Sequence, residues 1–266
     1  MDSQATLAKA ESIAREGGAI LREFYQKPRE FSLKGEVDLV TEADRAVETH
    51  LVNALKEAFP QYSIVAEEGN EYSPGKGASD YYWYVDPVDG TTNFSHRLPH
   101  FSITMALAGI DRKPEIGVVY DPIRDECFTA YKGGGAYLNG TKIAVSTTSD
   151  LISALLCTGF PYDRRTSPEN NLKEFNKMIL RVQSVHRLGS AALDLAYVAC
   201  GRLDGYWETK LNLWDCLAGV LLVQEAGGKV TDYRESENLL YQKRPQVLAS
   251  NGLIHNEMSI VLVTAR

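Results

Sequence analysis

The 266-residue sequence has no uninterrupted apolar run long enough to cross a membrane and no run of Lys and Arg longer than two residues. A transmembrane helix needs about 18 or more apolar residues, and nucleic-acid surfaces are built from clustered basic side chains. We therefore expect neither a membrane span nor a nucleic-acid partner. The opening segment, MDSQATLAKAES, also lacks the basic and apolar regions of a secretory signal peptide, so we expect a cytoplasmic protein.

Cysteine is scarce, and its spacing argues against the common zinc and redox motifs. The four cysteines, Cys127, Cys157, Cys200 and Cys216, form no C-x-x-C pair and have no histidines at zinc-ligand spacing. Each lies in an apolar stretch, which favours reduced thiols in the core of a cytosolic protein. A structural disulfide is the alternative.

The charge balance is acidic, because 28 Lys and Arg against 35 Asp and Glu give a formal net charge of −7. An enzyme with this balance that acts on anionic substrates needs something to screen its site, and a bound cation would do so. The rest of the composition, 44% hydrophobic and 24% charged residues, is that of an ordinary soluble globular protein.

Hydrophobic periodicity predicts helices and strands along the whole chain. Helices are predicted at residues 4–26, from an N-cap at Thr41 to about Phe59, and at 190–201 and 213–226. Strands are predicted at residues 63–66, 81–86, 101–109, 115–121, 126–132, 136–144, 153–158, 183–187, 229–233 and 246–250. Asn139-Gly140 indicates a hairpin. The pattern is that of an α/β protein with two fused subdomains, residues 1–145 and 146–266.

The stretch Asp86-Pro87-Val88-Asp89-Gly90-Thr91 combines two carboxylates with an anion-binding turn. Pro87 has no N–H for a sheet ladder, so we expect it to end the preceding strand. Asp86 and Asp89, with the Val88 carbonyl between them, can converge on one hard divalent cation. Gly90-Thr91-Thr92 then opens a short helical turn whose N–H groups can bind an anion. A strand that simply ends in a polar turn is the alternative interpretation.

Four further acidic residues have both a structural and a functional interpretation. Glu67 follows a predicted strand and could reach the same sheet edge, although alone it is a weak signal. Asp215 lies in an otherwise apolar helix, so it either caps that helix or meets a cation. Glu208 follows Tyr206-Trp207 in an apolar context, and Asp44 lies in a polar helical stretch whose default interpretation is a solvated surface.

Ser190, in Gly189-Ser190-Ala191-Ala192, resembles a catalytic nucleophile only superficially, because the G-x-S-x-G pattern is absent. We expect a helix N-cap whose backbone contacts a ligand.

Five blocks of the sequence together resemble the inositol monophosphatase family. They are VDLVTEADRAVE (37–48), IVAEEG (64–69), WYVDPVDGTTNFSHRLPHFSITMAL (83–107), GSAALDLAYVACGRLDGYWE (189–208) and LWDCLAGVLLVQEAGG (213–228). The blocks are in order and span nearly the whole chain. The most specific pair is D-P-x-D-G-T-x-N followed by W-D-x-x-A-G. The resemblance implies a layered α-β-α-β-α sandwich of the inositol monophosphatase and fructose-1,6-bisphosphatase type, commonly a homodimer.

The resemblance also implies a site for two to three Mg²⁺ ions. Glu67, Asp86 and the Val88 carbonyl would hold the first ion. Asp86, Asp89 and Asp215 would hold the second, and a third, weaker ion would lie near Glu67.

The remaining implied roles concern phosphate, water and substrate. Gly90 and Thr91 would bind the phosphate, and Thr91 with Glu67 would orient the attacking water. Asp44 would orient Thr91, with Lys34 nearby, and Asp89 counts among the catalytic residues. The groups implied to bind the substrate hydroxyls are Glu208, Asp215 and the backbone of Gly189, Ser190 and Ala191.

The activity that the resemblance implies is Mg²⁺-dependent hydrolysis of inositol 1-phosphate by activated water, with inhibition by Li⁺. Relatives that act on fructose 1,6-bisphosphate, histidinol phosphate or a 3′-phosphoadenosine nucleotide are the alternative. A second phosphate on the substrate would need further basic residues, and the candidates are Arg164, Arg165, Arg181 and Arg187. A regulatory protein without catalysis is disfavoured, because every acidic position of the motifs is present.

Overall fold

The computed structural model describes residues 2–26, 31–33, 39–75 and 78–265. Its helices are α1 (Ser3–Tyr25), α2 (Glu42–Ala58), α3 (Thr91–Ser95), α4 (Leu172–Met178), α5 (Ala191–Ala199), α6 (Leu213–Glu225) and α7 (His255–Thr264). The strands in the first half are β1 (Phe31–Leu33), β2 (Leu39–Thr41), β3 (Ser63–Ala66), β4 (Tyr81–Asp89), β5 (Ser102–Gly109), β6 (Pro114–Asp121), β7 (Glu126–Tyr131), β8 (Gly135–Leu138) and β9 (Thr141–Lys142). The strands in the second half are β10 (Leu155–Thr158), β11 (Ser184–His186), β12 (Gly205–Glu208), β13 (Lys229–Thr231) and β14 (Val247–Ser250).

Two large sheets alternate with layers of helices. One sheet has seven strands in the order β3-β4-β5-β6-β7-β8-β9, and the other has five in the order β11-β10-β12-β14-β13. Helices α1 and α2 pack against the seven-stranded sheet, whereas α5 and α6 contact strands of both sheets. Helix α7 contacts β14 and packs with α4. The predicted α-β-α-β-α sandwich is confirmed.

The core is divided in the same way, because each layer of helices buries apolar residues against a sheet. The seven-stranded sheet buries Trp83 and Ile103 against Leu51 of α2, whereas α6 places Leu217 between the two sheets. All strands of the seven-stranded sheet lie before residue 145, and all strands of the five-stranded sheet lie after it. The division into two subdomains stays a prediction.

Most predicted elements are confirmed within a few residues, but Pro87 does not end its strand. Strand β4 continues to Asp89, and it pairs with β5 at Asp86 and Asp89 with a shift of register between them. Because of this irregularity, Pro87 and Val88 do not pair with β5. Proline has no N–H to donate, so its presence here costs the sheet no hydrogen bond. The strand therefore carries both carboxylates.

The predicted strand 136–144 is a hairpin of β8 and β9. Asn139 and Gly140 between them have φ values of 47° and 77°, as a type I′ turn requires. The short β12 and the helices α4 and α7 were not predicted from periodicity, because short apolar segments do not distinguish strand from helix.

All four cysteines are free thiols, as expected, and three of them are buried. Within the described residues, no helix is both long and apolar enough to cross a membrane.

Candidate active site

The parallel pairing of β3 and β4 brings two acidic residues to one edge of the seven-stranded sheet. Ala66 pairs with Val85, so the next residues along each strand, Glu67 and Asp86, are neighbours at the carboxyl ends. The edge is the place where parallel strands present their functional groups. The expectation that Glu67 reaches the same edge as Asp86 is confirmed.

The turn after Asp86 is held by its own side chains. The N–H of Val88 donates to Oδ1 of Asp86 at 2.9 Å, and Oγ1 of Thr91 donates to the Val88 carbonyl at 3.1 Å. These bonds close the segment from Asp86 to Thr91 into a compact loop. Two carboxylates, one carbonyl and one hydroxyl thus lie within six residues of chain.

Gly90 occupies a position that other residues would not tolerate. Its φ is +100°, and a Cβ there would lie 3.1 Å from the Gly189 carbonyl oxygen and 3.2 Å from that of His100. Glycine adopts this left-handed conformation without steric cost. The glycine therefore lets the loop start α3 directly and approach the segment before α5. The predicted short helical turn is confirmed as α3.

Asp89 joins the first sheet to the start of α5. Its Oδ2 accepts hydrogen bonds from Ser190 Oγ at 2.6 Å and from the Ala192 N–H at 2.7 Å, and its Oδ1 accepts from the Ala191 N–H at 3.3 Å. A carboxylate at a helix N-terminus is stabilised by the free N–H groups and the helix dipole. The predicted N-cap role of Ser190 is confirmed, because its hydroxyl also accepts from Leu193 N–H at 3.4 Å.

Asp215 occupies the first turn of α6, where its Oδ2 accepts from the Asn212 N–H at 2.7 Å. This is the reciprocal half of a capping box. Of the two interpretations of Asp215, the helix cap is confirmed. The cap does not compete with binding a cation, because a carboxylate has lone pairs for several partners.

Glu208 ends β12 beside the end of the parallel strand β10. Its Oε2 accepts from the Tyr206 hydroxyl at 2.6 Å. A Cβ at Gly159 would lie 1.9 Å from the same oxygen. Buried Asn171 connects the two strands, since its amide donates to the Gly159 carbonyl at 2.6 Å and accepts from the Trp207 indole at 2.7 Å. The close approach of Gly159 therefore sets the position of the Glu208 carboxylate.

These groups surround one cleft of about 400 Å³. The predicted residues that line it are Glu67, Asp86, Val88, Asp89, Gly90, Thr91, Gly189, Ala191, Glu208 and Asp215. Ser190 is fully buried behind Asp89 and lies outside this lining, because its side chain turns to the helix cap. Asp44 is also outside it and only 2% exposed, so its interpretation as a solvated surface residue is wrong. Lys34 lies outside the described residues.

The carboxylates of the cleft disfavour one another's ionisation. Burial raises the pKa of Asp86 well above its usual value, and the charges of Glu67, Asp89 and Asp215 raise it further. Burial also raises the pKa of Asp89, against its hydrogen bonds from the start of α5. Burial and the charge of Asp89 raise the pKa of Asp215. Such a cluster gains stability when a positive charge binds among its members.

The donor set fits a hard divalent cation, because it consists of oxygen atoms only. Among the described residues, no three Asp, Glu, His or Cys side chains converge as ligands of one ion. The first predicted set, Glu67, Asp86 and the Val88 carbonyl, needs only two such side chains. The second predicted set consists of the carboxylates of Asp86, Asp89 and Asp215. These three side chains would have to move closer together to bind one ion. The chemistry of the site therefore fits Mg²⁺, and the two ion positions stay predictions.

Glu208 differs from the other acids because it faces the second sheet. Burial raises its pKa to about 7, whereas the hydrogen bond from Tyr206 lowers it. In its ionised form this carboxylate can accept hydrogen bonds from hydroxyl groups.

Several residues of the cleft were not found from sequence. They are Gly159, Phe160, Pro161, Tyr162, Lys210, Leu211, Asn212, Trp214 and Arg244. Gly159-Phe160-Pro161 directly follows the predicted strand 153–158, and a glycine and a proline at the end of a strand were the available signal. Of the four arginines considered for a second phosphate, Arg187 lines the cleft, and the other three do not belong to this lining.

A model of the family described as "Inositol monophosphatase family" matches residues 2–264. The chain belongs to the inositol monophosphatase family. It is 44% identical over 262 residues to an "Inositol-1-monophosphatase" of Synechocystis, covering 98% of this chain and 90% of that protein. It is also 42% identical over 247 residues to the "Nus factor SuhB" of Escherichia coli, covering 92% of this chain and 91% of that protein.

Solved structures agree with the assignment to the inositol monophosphatase family. The inositol monophosphatase from Anabaena matches with a TM-score of 0.88 and 41% identity, covering 99% of this chain and 97% of that one. The similarity spans nearly the whole chain. The fold and the family resemblance are therefore confirmed together.

Proposed function

We propose that this protein is a Mg²⁺-dependent phosphomonoesterase that hydrolyses small polyol phosphates, above all inositol 1-phosphate. The observation that carries the proposal is the single cleft in which Glu67, Asp86, Asp89 and Asp215 face the Gly90-Thr91 turn. Carboxylates alone would repel a phosphate ester. Together with a cation and a turn of backbone N–H groups, they provide a binding site for one.

The acidic residues would hold the metal ions. Glu67, Asp86 and the Val88 carbonyl would bind one Mg²⁺, and Asp86, Asp89 and Asp215 a second, with a weaker third near Glu67. When bound, such ions neutralise phosphate charge, lower the pKa of water and stabilise the leaving oxygen. The hydrogen bonds that Asp89 and Asp215 receive from helix starts support this role, because they hold the carboxylates in place.

The residues of the turn would bind the phosphate and orient water. The N–H groups of Gly90 and Thr91 lie at the start of α3, where no intrahelical acceptor is available. The Thr91 hydroxyl donates to the Val88 carbonyl, so its lone pairs can accept a hydrogen bond from the attacking water. Glu67, which directly follows the neighbouring strand β3, would accept a second hydrogen bond from that water, so the two residues would orient it. Buried Asp44 would act indirectly as a positioning residue for Thr91.

The second half of the chain would hold the polyol. Glu208, Gly189 and Ala191 also line the cleft. A carboxylate accepts hydrogen bonds from vicinal hydroxyls, so Glu208 would favour inositol phosphates over phosphates that lack such hydroxyls. Ser190 would contribute through Asp89 and not through contact with substrate.

A substrate panel tests the proposal. Phosphate release is measured with Mg²⁺ on inositol 1-phosphate, fructose 1,6-bisphosphate, histidinol phosphate and 3′-phosphoadenosine 5′-phosphate. We expect the highest kcat/KM for inositol 1-phosphate and loss of all release after chelation of the metal. A dominant kcat/KM for another ester would overturn the substrate assignment, and release that survives chelation would overturn the Mg²⁺ assignment.

Gly159→Ala tests the role of Glu208. The new Cβ displaces the Glu208 carboxylate at little cost in folding, because the end of a flexible side chain can move. Hydrogen bonds to charged groups contribute about 1.5–3 kcal/mol, so kcat/KM for inositol 1-phosphate should fall roughly ten- to a hundredfold. In a Glu208→Gln background the same change should add little, and an additive loss would show that Gly159 acts by another route.

The family resemblance also suggests a homodimer, a cytoplasmic location and inhibition by Li⁺. We propose all three as properties of this phosphatase. Light scattering of the purified protein measures its mass against the 29.5 kDa of one chain. Phosphate release measured with increasing LiCl at constant Mg²⁺, with NaCl as control, tests the inhibition.

A further inference from the structure

Helix α2 buries a carboxylate that the proposed reaction does not use. Glu48 is completely buried, and it lies one helical turn after Asp44 on the same face of α2. Burial of a carboxylate is costly unless hydrogen bonds replace the water that it loses. The hydrogen-bond partners of Glu48 therefore indicate what this side chain does in the fold.

Three N–H groups of the segment just after Glu67 donate to Glu48. The backbone N–H of Glu68 donates to Oε2 at 2.7 Å. The backbone N–H of Asn70 donates to Oε1 at 3.1 Å, and the side-chain amide of Asn70 donates to the same oxygen at 2.9 Å. Both carboxylate oxygens of Glu48 thus bind the segment that continues from Glu67.

The hydrogen bonds within the turn after strand β3 are longer than its bond to Glu48. The Gly69 N–H donates to the Ala66 carbonyl at 3.3 Å, and the Gly69 carbonyl accepts from the Glu71 N–H at 3.0 Å. The first of these distances lies beyond the usual range for an N–H donor. The bond from Glu68 to Glu48, at 2.7 Å, therefore contributes most to the geometry at the start of this turn.

We propose that Glu48 is a positioning residue for the first Mg²⁺ site. The N–H of Glu68 belongs to the peptide bond that follows Glu67, so its bond to Glu48 fixes the backbone that carries the Glu67 side chain to the cleft. This proposal rests on the proposed phosphatase function and adds a residue that lies outside the lining of the cleft. Residues that hold a metal ligand in place typically contribute about ten- to a hundredfold to metal affinity.

Helix α2 then positions both residues that are proposed to orient the attacking water. Asp44 is the proposed positioning residue for Thr91, and Glu48, four residues later on the same helix, positions Glu67. Two side chains one turn apart on a helix keep a nearly constant separation, because the hydrogen-bonded backbone is rigid. The helix also contacts strands β3 and β4, which lead to Glu67 and Asp86. Helix α2 therefore connects the geometry of the phosphate-binding turn with that of the first ion site.

Glu48→Gln tests the proposal with little change in side-chain volume. Glutamine has one accepting oxygen where glutamate has two, so its NH₂ group faces an N–H donor of Glu68 or Asn70. Isothermal titration calorimetry of the substrate-free protein measures the Mg²⁺ affinity, which should fall about ten- to a hundredfold. The Mg²⁺ concentration for half-maximal phosphate release from inositol 1-phosphate should rise by the same factor. At saturating Mg²⁺, kcat should fall less than about fivefold, because a high ion concentration compensates for weaker binding.

Two further variants separate positioning from general stability. Asp204→Asn is the matched control, because buried Asp204 also accepts a backbone N–H, that of Leu155 at 2.7 Å, but lies outside the cleft. This control should lower the Tm and leave the Mg²⁺ affinity unchanged. Asn70→Ala removes one of the three donors to Glu48 and should weaken Mg²⁺ binding about two- to tenfold. It tests the proposal even if Glu48→Gln does not fold, and in a folded Glu48→Gln background it should add little.

The results distinguish the role of Glu48 from the phosphatase function. If the unmodified protein binds Mg²⁺ but releases no phosphate from any ester of the panel, the phosphatase function fails, and the titrations still test Glu48. A Mg²⁺ affinity that is unchanged in Asn70→Ala and in folded Glu48→Gln would overturn the positioning role. An equal loss of affinity in Asp204→Asn would overturn it as well, because the effect would then come from general destabilisation.

Discussion

Asp86→Asn lowers Mg²⁺-dependent phosphate release from inositol 1-phosphate by at least about 10³-fold. Asp86 is the carboxylate proposed to contact both ions, so the substitution removes a charge from each. Metal-ion stabilisation of the developing charge is worth several kcal/mol, and each 1.36 kcal/mol is tenfold in rate. The fold is retained, because the asparagine oxygen can still accept from the Val88 N–H and one repelling charge is gone.

Asp80→Asn is the matched control for Asp86→Asn. Asp80 is an exposed aspartate immediately before the same strand, β4, and its loss should leave activity within about twofold. Kinetics over a range of Mg²⁺ concentrations, with circular dichroism to monitor folding, make the comparison. Near-normal activity of Asp86→Asn at ordinary Mg²⁺ would contradict the assignment of Asp86 as the shared ligand.

Asp215→Asn makes the metal-free protein more stable and the enzyme at least about 10²-fold less active. Burial raises the pKa of this carboxylate in the folded state, and the charges of Asp89 and Glu208 raise it further. Asparagine removes the repulsion while its oxygen still accepts the Asn212 N–H, so the start of α6 is kept. A gain of about 1–2 kcal/mol corresponds to a rise in Tm of roughly 2–8 °C for a domain of this size.

The same variant should lose much of the stabilisation that Mg²⁺ provides. A ligand at a hundred times its Kd stabilises the folded state by about 2.7 kcal/mol, and removal of one carboxylate weakens that binding. Thermal unfolding of both proteins, in a chelator and at increasing Mg²⁺, measures the two effects. A metal-free Tm below that of the unmodified protein would show that Asp215 is mainly a structural cap.

The local parts of the site could be predicted from the sequence. The stretch Asp86-Pro87-Val88-Asp89-Gly90-Thr91 could be interpreted from sequence because its two carboxylates and its helical turn lie within six consecutive residues. The capping role of Asp215 is local in the same sense, since its partner Asn212 is three residues away. The complete ligand set required the resemblance to a known family, because no periodicity relates Glu67 to Asp215.

Other parts of the site were predicted incompletely or incorrectly. Pro87 was expected to end its strand, but an irregularity in the pairing of β4 and β5 absorbs it. The default interpretation of Asp44 as a surface residue is wrong, because the polar residues around it in the sequence do not reveal that its side chain is buried in the fold. Gly159 was overlooked, since its importance comes from Glu208, which lies on a different strand.

The sequence by itself determined the donor types of this site, the spacing of Asp86 and Asp89, and the glycine that the left-handed turn at Gly90 requires. These features depend only on residue type and on the backbone conformation of a few consecutive residues. Only the tertiary structure decided that Asp89 meets the start of α5, 101 residues further along the chain, and that Gly159 closely approaches the Glu208 carboxylate on a neighbouring strand. Those contacts depend on the order and direction of strands in two sheets, which no local pattern specifies.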